Sequence, residues 1–150
     1  MDPVVRTRQY GPFKHDVYLG FGQCDLPKMQ LLQERLEQRD IVCFPKYQRS
    51  SDRQEFVSCA VGEGIIRSRK CLLYASQSFI DDQHYANEVA KVHNKIRRFS
   101  RDMIIVLKDP GLADVPRELR AFTVFPVDNV ATLEYPKFLN DLATALKKGS

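Results

Sequence analysis

"VYLGFGQCD" (Val17–Asp25) carries a β-branched and aromatic run into a Gly-x-Gly turn, and an acidic residue then opens a helical pattern. A strand feeding a tight turn and a helix is the start of a β-α unit, and the chain beyond it repeats the theme. Asp25 stands at the N-cap of a helix reaching about Arg39, with Met29, Leu32 and Leu36 on one face. "IVCF" (41–44) reads as a second strand, closed by Pro45. A polar stretch follows. Ser51 or Asp52 then caps a helix, with Glu55 placed for a capping box and Phe56, Val57, Ala60, Val61 and Ile65 as its apolar face. "CLLYA" (71–75) is a third strand, followed by a helix over about 82–98 with Val89, Val92, His93 and Ile96 on one side. "MIIVL" (103–107) is a fourth strand, almost wholly apolar, as a strand covered on both faces should be. "AFTVFPV" (121–127) is a fifth, and a last helix from about Pro136 to Lys147 turns Phe138, Leu139, Leu142 and Leu146 inward.

Five strands alternating with helices predict an α/β fold: a doubly wound, five-stranded parallel sheet flanked by helices. Sites in such sheets form beyond the C-terminal strand ends, at the switch point of the winding. The loops after Phe21, Phe44 and Ala75 are therefore the expected working rim.

Bulk composition narrows the class. One domain suits 150 residues, and 28% charged with 43% apolar residues is ordinary for a soluble globular chain. No apolar run approaches the ~20 residues of a membrane span, and no apolar signal core opens the chain. The net charge of +4 is mild, and the denser basic segment Lys91–Arg101 reads as a solvated helix face, so no nucleic-acid partner is expected. Cys24, Cys43, Cys59 and Cys71 form no C-x-x-C pair. That argues against a zinc or redox motif and fits a reducing, cytoplasmic setting, with Cys43 and Cys71 as core thiols.

The familiar functions of doubly wound sheets fail on particular residues. In the dinucleotide fingerprint G-x-G-x-x-G, Gly20 and Gly22 fit, but Asp25 holds the third glycine's place and would repel a pyrophosphate. The second strand ends Phe44–Pro45–Lys46, where a ribose-binding acid is needed. A phosphoacceptor Asp is missing from Tyr74–Ala75–Ser76, and neither a P-loop nor a G-x-S-x-G elbow occurs.

The order of the remaining motifs resembles the Toll/interleukin-1 receptor (TIR) domain family, closest in pattern to animal Toll-like receptors. "HDVYLGF" (15–21) is similar to its box 1, (F/Y)DAF(I/V)SY, with Gly20 in the place of Ser. "SQSFIDDQHYANEV" runs without gaps against S-x-N-F-x-x-S-x-W-C-x-x-E-L: Ser76, Phe79, Glu88 and an aliphatic Val89 coincide, while His84 and Tyr85 replace Trp and Cys. "IIVLKDPGLADVPRELRAF" resembles the fourth strand and its proline-bearing loop, "TLEYP" (132–136) the receptors' Y-L-E-W-P, and Phe138 falls at box 3 with Leu139 in the place of Trp. Box 2, R-D-x-x-P-G, has no counterpart in "KYQRSSDRQ". The resemblance implies a flavodoxin-like domain over residues 13–148; residues 1–12, with two prolines, a glycine and few periodic apolars, read as a lead-in segment, and Gly149–Ser150 as an appended tail.

It also implies two modes of action. The first is intracellular innate-immune signalling through TIR–TIR contacts, as part of a receptor or adaptor. The loop after the second strand, Lys46, Tyr47, Gln48, Arg49, Ser50, Ser51, Asp52 and Arg53, would be the partner-binding element. Weak homo-oligomers would form, with no cofactor, metal or direct membrane insertion. The second is cleavage of the nicotinamide–ribose bond of NAD, with Glu88 as the catalytic carboxylate stabilising an oxocarbenium-like state and Phe21 and Gly22 beside the substrate. The receptor-like "TLEYP" favours the first. His84 and Glu88 at i, i+4 after Asp81 and Asp82 read as an exposed helix start rather than a metal site, and Cys24 as an inert thiol.

Overall fold

A computed structural model describes residues 15–45, 47–50, 53–56, 65, 67–98 and 103–147. Its strands are β1 (His15–Gly20), β2 (Cys43–Pro45), β3 (Tyr47–Ser50), β4 (Arg53–Phe56), β5 (Ser68–Ala75), β6 (Ile104–Lys108) and β7 (Thr123–Pro126). Its helices are α1 (Leu26–Glu37), α2 (Gln77–Ile80), α3 (Tyr85–Arg98) and α4 (Pro136–Lys147). Five strands form one sheet in the order β2-β1-β5-β6-β7, every neighbouring pair parallel. The chain winds outward from β1 to β2, then returns to the other side of β1 at β5. That reversal puts the switch point between β1 and β5. The expected doubly wound sheet is therefore present.

The period-2 alternation of the central strands divides the core. Val17, Leu19, Leu72, Tyr74, Ile105 and Leu107 meet α1 and α4, whose Leu32, Leu36, Leu139, Leu142 and Leu146 are buried. Tyr18, Cys71, Leu73, Ala75, Ile104 and Val106 face the other way, toward Phe79, Val89 and Val92. Strands buried on both faces must read as continuous apolar runs, and β6 does. Asp40, at φ 64°, turns the chain out of α1 toward β2 in a left-handed conformation that Asp tolerates better than most residues.

Three expectations need correction. First, residues 53–56 do not begin a helix: β3 and β4 pair antiparallel as a separate two-stranded sheet, with Ser50 opposite Arg53 and Tyr47 opposite Phe56. Two residues between paired strands make the shortest common hairpin. Its ladder pairs backbone groups along both strands, more than one capping box at Ser51 or Asp52 could satisfy. The remainder of that expected helix, 57–64, lies outside the described residues, as do 1–12 and 149–150. Second, β5 starts at Ser68 rather than Cys71, and its polar start is buried because carbonyls receive it. Lys70 Nζ donates to Ala145 O at 2.8 Å, and Arg69 Nη2 donates to Leu146 O. Both cations thus serve the C-terminal carbonyls of α4, where the helix dipole favours positive charge. On the other face Lys95 Nζ donates to Ser68 O at 2.6 Å, and burial pushes its ammonium below the ordinary range. Third, the helix expected over 82–98 is present as α3 but starts at Tyr85, and a separate short helix, α2, precedes it. Ser76 caps α2, accepting from Phe79 N at 3.2 Å, and a turn at 81–84 separates α2 from α3.

Among the described residues no helix is long and apolar enough to cross a membrane. Leu142 is fully buried between α4 and the sheet. Leu142→Ala should lower unfolding stability by about 2–5 kcal/mol in urea titration, the range for truncating a core leucine.

Candidate functional site

β1 ends at Gly20 and continues through Phe21 and Gly22 into a 3-10 turn, Gln23–Asp25, before α1. β5 ends at Ala75, and Ser76 caps α2 beside it. These two segments flank the switch point. The space between them is filled by the chain itself. A Cβ on Gly22 would collide with Ser78 C and Oγ and lie 2.5 Å from Phe79 N, so glycine is required there by the close approach of α2. Cys24 N donates to Ser78 Oγ at 3.2 Å, Asp25 N to Gly22 O at 2.9 Å, and Ser76 Oγ to Asp25 Oδ2. The amides that a phosphate loop would aim at its ligand are therefore occupied internally. The Gly-x-Gly spacing is a packing device between β1, α2 and α3.

Asp25 occupies the N-cap position of α1, but its side chain makes no capping bond. It joins a network that sequence reasoning misses. Lys28 Nζ lies 3.4 Å from Asp25 Oδ1 and 3.6 Å from Asp109 Oδ1, and 5.6 Å from the centre of the Tyr74 ring. The Tyr74 hydroxyl donates to Asp109 Oδ1, and Gly111 N donates to Asp109 Oδ2 at 2.9 Å. Burial, and then the bond to Asp109, push the Tyr74 phenol well above its ordinary value. The loops after β1, β5 and β6 are thus tied together on the α1 face. The only sequence signal is "KDPG" after β6, an Asx-type turn. Nothing local links it to Lys28.

Glu88 lies on the opposite face. Its amide donates to His84 O at 2.9 Å, in the first turn of α3. Its side chain turns inward and is 1% exposed, with Oε2 accepting from the Tyr18 hydroxyl at 2.7 Å. Gly20 lies directly beneath: a Cβ there would overlap Glu88 Oε2 and come within 2.7 Å of Leu73 Cδ2. Of the residues expected beside it, Gly22 packs on α2, while Phe21 is fully buried in the α1/α4 core, across the sheet from Glu88.

A cleft of about 630 Å³ opens outside the filled crevice. It is lined by Gln23 and Cys24 from the turn after β1 and by Ser78, Asp81, Asp82 and His84 around the α2–α3 turn, and no lysine or arginine stands in its wall among the described residues. Asp82 Oδ1 accepts from His84 N at 2.8 Å, and Asp81 Oδ1 accepts from Gln77 Nε2 at 3.0 Å. No group of three or more His, Cys, Asp or Glu side chains placed to hold a metal occurs among the described residues. Of the expected partner-binding residues, Tyr47, Gln48, Arg49, Ser50 and Arg53 fall on the β3–β4 hairpin, apart from the central sheet. Lys46, Ser51 and Asp52 lie outside the described residues.

Cys43 and Cys71 are buried and Cys24 is exposed. Burial is the main cause that pushes the Cys71 thiol up to about 12 and also raises Cys43. A thiol raised in the folded state must stay protonated where its unfolded counterpart ionises, so stability declines as pH climbs from about 9 toward 12. Iodoacetamide should alkylate the exposed Cys24 in the native protein. It should spare Cys43 and Cys71 until urea is added, read by peptide mass spectrometry. Gly22→Ala should cost about 1–3 kcal/mol, because backbone atoms of α2 rather than a yielding side chain block the added methyl.

No family model and no curated protein sequence matches the chain. Solved structures do. The TIR domain of the Toll-related receptor TRR-2 from Hydra magnipapillata superposes with a TM-score of 0.68 at 16% identity, covering 90% of this chain and 100% of that one. A metazoan TIR-STING receptor from C. gigas gives 0.67 at 16% identity, covering 91% of this chain. This chain spans 41% of that receptor's length. The TIR domains of the activated Roq1 resistosome, which directly recognises the pathogen effector XopQ, give 0.53 at 16% identity over 91% of this chain. With the five-stranded parallel sheet and its strand order, these likenesses show that the chain has the fold of a TIR domain.

Proposed function

We propose that the chain is an intracellular innate-immune signalling module that works by associating with other TIR domains, as part of a Toll-like receptor or an adaptor, in the cytoplasm. The observation that carries this reading is the hairpin: β3 and β4 pair with each other as a sheet separate from the central one. A charged two-stranded arm off the sheet is suited to contact a second domain. Lys46, Arg49 and Arg53 give the segment basic charge, which governs encounter and partner choice more than raw affinity. The Roq1 TIR domains, solved within an activated resistosome, agree with a role in assembly.

The alternative, an NAD-cleaving enzyme, draws less support from the site. Glu88 is enclosed by Tyr18 and Gly20. The neighbouring cleft presents Asp81 and Asp82 and, among the described residues, no lysine or arginine to meet a pyrophosphate. An acidic cleft is poorly arranged for the anionic centre of a dinucleotide.

Reversing Arg49 and Arg53 to Glu should weaken self-association, or capture of a partner TIR domain, about tenfold or more, corresponding to a loss of about 1.4 kcal/mol. Sedimentation equilibrium over a concentration series reads this directly. Undiminished association in a folded double variant would remove the hairpin from the interface. Incubated with NAD at high protein concentration, the domain should release no nicotinamide. Release that disappears in Glu88→Ala would put the enzymatic reading first.

A further inference from the structure

We infer that Tyr18 and Gly20 form a matched socket that keeps the Glu88 carboxylate inside the domain, buried at the end of β1. In the box 1 pattern (F/Y)DAF(I/V)SY, Tyr18 stands where Phe is usual and Gly20 where Ser is usual. Both departures act on one atom. The phenol oxygen that a phenylalanine would lack donates to Glu88 Oε2 at 2.7 Å. The Cβ that a serine would carry is absent at the point where Oε2 lies. One departure supplies a donor and the other supplies room.

Each departure alone gives a poorer fit. A phenylalanine in place of Tyr18, with Gly20 kept, would take the phenol donor from a buried carboxylate oxygen, a loss felt more strongly in the interior than in water. A serine in place of Gly20, with Tyr18 kept, would set a side chain against Oε2, with Leu73 Cδ2 and Tyr18 Cε2 at 2.7 and 3.2 Å from the new Cβ. Together the two departures suit a glutamate that is 1% exposed. Tyr18 and Gly20 are thus positioning residues for Glu88. They join α3 to β1 and remove the carboxylate from reach of anything bound at the rim.

Carboxyl labelling tests this without any activity assay. The folded protein is treated with a water-soluble carbodiimide and glycine ethyl ester, and each glutamate is followed by peptide mass spectrometry. Glu88 should react at least about tenfold more slowly than the exposed Glu118 and Glu134, because a sealed group reacts only through local opening. Urea should erase the difference. Tyr18→Phe should raise Glu88 labelling, and Tyr18→Phe with Gly20→Ser should bring it to about the rate of Glu134. Labelling of Glu88 at the Glu134 rate in the native wild type would overturn the socket. Should the double variant not fold, Gly20→Ala in the wild type and in Glu88→Ala decides. The cost of the added methyl should fall when Glu88 is truncated, and an equal cost in both backgrounds would also overturn it. Self-association of the hairpin variants has no bearing on these outcomes, so the socket and the assembly reading fail separately.

Discussion

The hydrogen bond from Tyr18 to Glu88 joins β1 to α3 beside the switch point of the sheet. Desolvating a carboxylate consumes a sizeable part of a domain's marginal stability, and each hydrogen bond it accepts offsets part of that cost. The phenol donates from β1, while Gly20 leaves the space the carboxylate occupies. Gly22, two residues on, lets α2 settle against the turn. The two glycines that look like a phosphate-binding fingerprint thus both serve close packing of helices against the end of β1.

The consequences divide by face. On the α3 side, the crevice is closed by Glu88, Tyr18 and Ser78, and the open cleft outside it is acidic. On the α1 side, Lys28 between Asp25 and Asp109 binds three loops into one rim. At the opposite end of the sheet, Arg69 and Lys70 hold the last carbonyls of α4, and Lys95 holds the start of β5. These polar contacts do what additional apolar burial could not. They fix strand ends and helix ends, where backbone groups lack partners within their own element. With those ends secured, the β3–β4 hairpin is the paired element that stands apart from the central sheet.

Legibility in the sequence follows the range of each interaction. β1, β6, α1 and α4 can be read because their signals are local: a two-residue or 3.6-residue period, a proline, a cap. β5 reads three residues short because Ser68, Arg69 and Lys70 look like a polar loop until the carbonyls of α4 are brought to them. The hairpin reads as a helix start because Ser51, Asp52 and Glu55 fit a cap as well as a turn, and strand pairing alone separates the two. Asp25 does stand at the start of α1, yet its side chain serves Ser76 and Lys28 instead of a cap.

The sequence by itself determined the strand and helix alternation, the parallel doubly wound class and the order of motifs that resembles TIR domains, because periodicity and motif spacing are properties of neighbouring residues. It also singled out Glu88 as the residue on which the choice between scaffold and enzyme turns. Tertiary structure alone decided the environment of that residue. Tyr18 and Glu88 are 70 positions apart in the chain, and no local pattern encodes which oxygen a phenol will reach or which Cβ must be missing. Packing set that contact, and the carboxylate's inward turn is its result.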